Sequence, residues 1–438
     1  MPTKKNSQLV QYISSLRSSS SYIIAFILVL GSIRGLIVLN SELPAKTVYN
    51  ITATLLIILS AYGFLKRVEF KNHDIVLLKK LLQINLLLGI VNVLFDLLLG
   101  IPFSPTVFYI YLLPYVVFLF LRVPTAYFNV AFTIITLVIS YSVCDNFIES
   151  LKGSEGYQNV FDYNTKLRPD TFEALDRTGD FYCAAGYTGN NHDSANILGL
   201  TGSLFFIRYF VGGKWLDLGL SLFALFSLML TQSATNIIVA IFTCVIFSVY
   251  VLVLRWKIRN VVSLLVAVAA ILWLFASFGD FIKIFTARLG EDSNREAMLN
   301  QLNMGSLVSA LPFFLIGHAR AFGSEIIDTE IAHLKGVFQL GIVHASILYW
   351  ILIYPILRFV KVRSFCSAAL PGVAAIFFGF MSLIHYGSLL RSTNVLLFYA
   401  IYTTCLAYII NCNESNRLLG IESRVRGLDV RSSLAKLQ

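Results

Sequence analysis

Two stretches of the chain collect the residue types that do chemistry. The denser one reads Arg288-Leu-Gly-Glu-Asp-Ser-Asn-Arg295, continues with Gly317-His318-Ala-Arg320-Ala-Phe-Gly323-Ser-Glu325, and closes on Asp328-Thr-Glu330-Ile-Ala-His333-Leu-Lys335-Gly336. A guanidinium is a fixed fork for phosphate oxygens, so Arg288, Arg295 and Arg320 are candidates to hold a phosphate. Glu330, Asp328, Glu325, His318 and His333 are candidates to take a proton from a sugar hydroxyl. Any one of them alone reads more readily as a solvated surface charge. Together, beside the apolar segment Leu307–Ile316, they favour a site. The other stretch carries Lys166, Arg168 and Arg177, then Asn190-Asn191-His192-Asp193-Ser194-Ala-Asn196. The second half of it lies where the chain becomes apolar again. That position suits substrate binding, and it equally suits an Asn or Asp capping a helix.

Other chemistries find less support. His318 and His333 are fifteen residues apart, no H-E-x-x-H pattern occurs, and Asp328 and Glu330 lack loop-ligand spacing. Neither a metal nor a cofactor is expected. There is no G-x-G-x-x-G and no G-x-x-x-x-G-K-[ST], so no nucleotide site is indicated. The six cysteines form no C-x-x-C. Cys144 and Cys183 could pair in a shared compartment; packing is the simpler role for both.

The elements that must position these residues are membrane helices. The chain has 438 residues, 57% hydrophobic and 13% charged, against roughly a quarter charged in soluble domains. This excludes a disordered chain, a basic nucleic-acid binder and an ordinary soluble enzyme. Apolar runs long enough to cross a bilayer recur throughout. They lie near Ser21–Asn40, Val48–Leu65, Leu81–Leu99, Ser104–Leu121, Thr125–Cys144 and Ser194–Phe210. Others follow near Leu216–Leu230, Ala234–Leu254, Val261–Phe278, Gly336–Ile356, Ser364–Ile384 and Asn394–Ile410. The expectation is an all-α integral membrane protein of about twelve transmembrane helices, forming one polytopic body over residues 1–438. The first run is longer than a signal-peptide core and reads as an uncleaved anchor.

The net charge of +10 is read as topology. Lys66, Arg67, Lys71, Lys79, Lys80, Arg122, Lys214, Arg255, Lys257, Arg259, Arg358, Lys361 and Arg363 gather on one side with both tails, 1–20 and 411–438. The short loops of the other side hold only Lys46 and Arg391. By the positive-inside rule both termini are cytoplasmic, and the basic tail needs no nucleic-acid partner. Two large loops, Asp145–Asp193 and Gly279–Lys335, then face outward and carry most of the acidic residues. Their aromatic content predicts folded structure, with Leu307–Gly317 a re-entrant or interfacial helix broken at Pro312. Arg34 and Asp96 fall inside spans, in their outer halves, where an unpaired charge costs several kcal/mol. They would pair, or line an outward cavity together with His192 and Asp193.

This layout resembles the O-antigen polymerase and ligase superfamily of bacterial envelope glycosyltransferases. Gly186-Tyr-Thr-Gly189-Asn-Asn-His-Asp-Ser-Ala-Asn-Ile-Leu is similar to the family's Gly- and Asn-rich approach to the helix after the first large loop. Leu228-Met-Leu-Thr231-Gln-Ser233-Ala-Thr-Asn is similar to its "LLLTxSR" turn, and Asp328 through Gly341 to its exit from the second loop. The resemblance implies a GT-C-like fold in the bacterial inner membrane and inverting, metal-independent glycosyl transfer from an undecaprenyl-pyrophosphate-linked oligosaccharide. Membrane lipid and a chain-length regulator protein are the further partners it implies. Carried over, the loop arginines Arg168, Arg177, Arg288, Arg295 and Arg320 would hold the pyrophosphate; Arg168 and Gly179 match an R-x10-G pattern of some polymerases. Two departures count against a ligase. Glu330 stands eleven before Gly341 where ligases tend to have histidine, and Ala234 stands where "TxSR" has arginine. The resemblance therefore points to an O-antigen polymerase, with a ligase second. A flippase or secondary transporter is the alternative of another class; such proteins commonly show internal repeats, and none is evident.

Overall fold

The computed structural model describes residues 21–39, 45–65, 72–98, 100, 111–167, 184–254, 340–361, 366–383 and 394–426, with a few isolated positions between 261 and 337. Every regular element among them is helical. In chain order they are α1 (Ser21–Ser32), α2 (Arg34–Leu39), α3 (Ala45–Leu65), α4 (His73–Leu98), α5 (Val116–Phe120), α6 (Thr125–Ser150) and α7 (Ser154–Leu167). Then follow α8 (Asn191–Val211), α9 (Trp215–Leu230), α10 (Ala234–Leu254), α11 (Ile342–Lys361), α12 (Leu370–Ser382) and α13 (Asn394–Arg426). Among the described residues, six helices are long and apolar enough to cross a membrane: α4, α6, α8, α10, α11 and the Asn394–Asn413 part of α13. Four shorter apolar helices accompany them: α1, the Asn50–Gly63 part of α3, α9 and α12.

Local chemistry sets the ends. Pro124 starts α6 and Gly212 and Gly213 stop α8. Asn190 caps α8, its side-chain oxygen accepting from the backbone N–H of His192 and of Asp193. The α9–α10 turn is only three residues long, and in it Gln232 holds a left-handed φ of 54°.

The helix α8 is the axis. It packs against α6, α9, α10, α12 and α13, and 89% of its most apolar stretch is buried, against 28% for α4. Small residues allow this closeness. A Cβ on Gly199 would run into the ring of Phe378 in α12, and Gly202 lies against Ala224 and Leu225 of α9. By contrast α4 presents one face inward, with Leu78, Leu82, Asn85, Gly89, Asn92 and Asp96 at helical spacing. Leu87, Val91, Leu94 and Leu98 stay exposed on the other, a face suited to lipid.

Some expected boundaries move. The helix α4 starts eight residues before Leu81, because Asn72 Oδ1 accepts from Asp74 N at 2.9 Å and Asp74 pairs with Arg358 of α11. Lys79 and Lys80 are thus helical, on its exposed side. The helix α6 runs on to Ser150, beyond Cys144. The described part of the span expected at Ser104–Leu121 is helical from Tyr111 to Phe120, with one 3-10 turn at Leu113–Tyr115 before α5. The first large loop does contain folded structure, the amphipathic α7, whose Val160 and Leu167 are buried. Cys144 is a free thiol against Ser227 Oγ, at 3.4 Å. The expected span Val261–Phe278 (apart from Val261 and Val262), the segment Leu307–Gly317 as a helix, and nearly all of the second large loop lie outside the described residues.

Candidate functional site

The helices α8 and α9 form a hairpin, so the start of α8 and the start of α10 return to the same end of the bundle. That brings two polar motifs together across 41 residues of sequence. His192 Nδ1 lies 3.0 Å from Ser233 Oγ, and Asn236 Nδ2 donates to the same oxygen at 2.9 Å. Asn191 Nδ2 donates to the carbonyl of Thr231 at 3.2 Å. Ser233 and Asn236 are buried, while His192 is half-buried. With the imidazole proton on Nε2, Ser233 donates to Nδ1; with it on Nδ1, the serine accepts and keeps its own proton for a ligand.

Around this pair the polar groups are bonded to one another. Thr188 Oγ1 lies 2.8 Å from Ser194 Oγ and donates to the carbonyl of Asn190 at 2.7 Å. Ser382, at the end of α12, donates to Asn196 Oδ1 at 3.4 Å. Asn394, at the start of α13, is fully buried at this same end. The positive ends of α8, α10 and α13 therefore point the same way, a field that favours an anion. Nearby, Tyr187 N donates to Ser142 Oγ at 3.1 Å, and the Tyr187 ring sits 6.5 Å from that of Tyr163. Burial, and after it the charge of Asp145, pushes the Tyr187 hydroxyl above the ordinary phenol range, so it stays a neutral donor.

A second polar region runs along α4. His344 of α11 donates from Nε2 to Asn85 Oδ1 at 3.1 Å, and Asn92 Nδ2 donates to the carbonyl of Leu340 at 3.4 Å. The Tyr111 ring stacks on His344 at 5.1 Å and lies so close to Gly89 that a Cβ there would be 2.6 Å from it. Tyr111 Oη, Asn85 Nδ2 and His344 Nδ1 are all buried without a hydrogen-bond partner among the described residues.

The residues singled out from sequence fall into three groups. His192 belongs to the α8–α10 cluster, and Asp193 beside it is fully buried. The capping role for this stretch holds for Asn190. Asp96 is buried in the α4 seam. His333 is held at the exit of the second loop, between the rings of Tyr349 at 5.0 Å and Phe380 at 4.8 Å. Its Nε2–H goes to the carbonyl of Phe380 at 3.0 Å, and its own carbonyl accepts from Tyr349 Oη at 2.6 Å. Only Nδ1 is left as its basic nitrogen, and burial lowers the imidazole below its usual range. The side chain of Arg34, and Arg168, Arg177, Arg288, Arg295, Arg320, His318, Glu325, Asp328 and Glu330, lie outside the described residues. Ser233 and Asn236 were visible only as parts of a turn motif. Their separation from His192 by two apolar helices is the signal that could have joined them.

Among the described residues no group of three or more His, Cys, Asp or Glu side chains could hold a metal ion. No protein-family model and no curated protein sequence matches the chain.

Proposed function

We propose that the protein polymerises undecaprenyl-pyrophosphate-linked oligosaccharide units into O-antigen or a related surface polysaccharide, on the outer face of the bacterial inner membrane. In this reading the fold is GT-C-like, with about twelve spans and both termini cytoplasmic. The observation that carries the reading is the His192–Ser233–Asn236 cluster, held where the N-termini of α8 and α10 meet at the end of the first large loop. A hydroxyl oxygen of the incoming unit attacks the anomeric carbon of the growing chain. The anomeric C–O bond to the pyrophosphate breaks with inversion, and the hydroxyl proton passes to a base. His192, oriented by Ser233, is the best-positioned candidate among the described residues. Glu330, Asp328, Glu325, His318 and His333 are the alternatives. Arg168, Arg177, Arg288, Arg295 and Arg320 would neutralise the departing pyrophosphate, with the helix N-termini adding to the same field. No metal or cofactor takes part.

A second reading, a flippase or transporter, is favoured by the α4 seam, because polar groups inside spans often mark transport paths. A ligase is the nearer alternative within the superfamily. Deleting the gene and running the surface glycolipid on a gel separates all three. Core bearing a single repeat unit supports the polymerase. Bare core with polymer stranded on the carrier lipid means ligase, and an unchanged ladder removes both. Complementation with His192→Ala, expected to lose the ladder, then tests the base.

A further inference from the structure

At the other end of α8, about 24 Å from His192 at 1.5 Å per residue, the structure holds a cavity that the reading above does not use. Its volume is about 300 Å³, and α6, α8, α12 and α13 enclose it. The walls are of two kinds. Phe132, Leu204 and Ile401 form an apolar part, while Arg208, Thr404 and Tyr408 form a polar one.

Arg208 decides what fits. A guanidinium has five N–H groups. Nε donates to Asp217 Oδ1 at 2.8 Å, one terminal nitrogen donates to the same oxygen, and the other donates to Asn129 Oδ1 at 3.3 Å. Two N–H groups therefore remain for an acceptor. Asp217 has little left to offer them, because its second oxygen accepts from Lys214 N at 3.0 Å. The surroundings add positive charge: Lys214 and Arg122 are exposed at this end of the bundle, where the basic loops gather. Trp215, 69% exposed with its ring 5.2 Å from Tyr209, is the kind of residue that sits at headgroup depth. Basic pockets between helices at this depth suit anionic headgroups.

We propose that this cavity binds one anionic phospholipid from the leaflet on the basic side. Its phosphodiester accepts from the two remaining Arg208 N–H groups, and its glycerol-ester region lies against Phe132, Leu204 and Ile401. The inference does not depend on glycosyl transfer.

The test is native mass spectrometry of the full chain in nanodiscs of phosphatidylcholine containing a minor share of phosphatidylglycerol. The wild type should retain one phosphatidylglycerol, enriched about tenfold over its bulk share, a modest binding preference. Ala368→Trp, at an exposed position on the cavity rim, should abolish the enrichment. The double variant Arg208→Gln/Asp217→Asn, which keeps a hydrogen-bonded pair without charge, should abolish it independently of any folding defect in the first. No enrichment in the wild type, or enrichment kept by the double variant, overturns the proposal. So does displacement of the lipid by millimolar inorganic phosphate, which would make the site one for a soluble phosphate.

Discussion

The α8–α10 cluster and the α4–α11 seam both bury polar side chains among apolar helices, but they treat them differently. In the first, Ser233 accepts from Asn236 and also meets His192, and Thr188 is shared among three oxygens. In the second, one hydrogen bond joins His344 to Asn85, while Tyr111 Oη, Asn85 Nδ2 and His344 Nδ1 find no partner among the described residues. The difference teaches where the chain has invested in order. The first network is the more fully bonded of the two, with Asn236 Oδ1 buried without a partner among the described residues, and such bonding fixes geometry, as a site that orients a base requires. In the seam shape does more of the holding: the Tyr111 ring stacks on His344 and fills the space Gly89 leaves.

That comparison can be broken from its strongest point. The seam is anchored at one end by Asp74 with Arg358, reinforced by Tyr354 Oη donating to the carbonyl of Asp74 at 2.9 Å. Arg358→Met leaves Asp74 buried without its cation and should cost about 3 kcal/mol, read as thermal unfolding in nanodiscs. A loss under 1 kcal/mol would mean that the pair does not anchor the seam. Gly89→Val drives two methyls at the Tyr111 ring and should cost about 1–3 kcal/mol by overpacking. Ser233→Ala removes the interhelical bond to His192 and the local one from Asn236; an interhelical bond is worth about 0.6–1.7 kcal/mol, so the loss should fall in that range, read as thermal unfolding in nanodiscs. Tyr111→Phe removes a hydroxyl with no partner among the described residues and should change stability by less than about 0.5 kcal/mol. If Tyr111→Phe costs as much as Ser233→Ala, the contrast between the two regions is lost.

A pH scan sharpens the picture at His333, which links the second loop to α11 and α12. Burial lowers its folded pKa below the unfolded value near 6.5. The folded protein therefore binds fewer protons than the unfolded chain in that window. Its contribution is complete above pH 6.5 and is lost as pH falls toward the folded value. Melting at pH 5.5 should be lower than at pH 7.5, and His333→Gln should remove that part of the difference.

The helices were legible because a bilayer demands long apolar runs. Helix α8 was expected to start near Ser194 and does so at Asn191, and the α9–α10 turn falls at Thr231–Ser233 as the motif suggested. The early start of α4 was hidden because Lys79 and Lys80 look like loop residues. Their long stems let them ride the exposed side of a helix end. Of the site, His192 was legible as a residue but not as half of a pair. The pairing depends on two consecutive helices turning back, and no local pattern near residue 192 or 233 encodes that return.

Gly35 has a consequence for how the chain is made. Its backbone lies against the carbonyl of Tyr187 with no room for any side chain, so α2 is completed by a contact 152 residues downstream. At about 5–20 residues per second, the ribosome needs roughly 8–30 s to supply that partner. For this interval the first helices must wait in the membrane without their final neighbour. A side chain at position 35 would therefore act during assembly, leaving a chain that inserts normally but cannot close its first helices onto the rest.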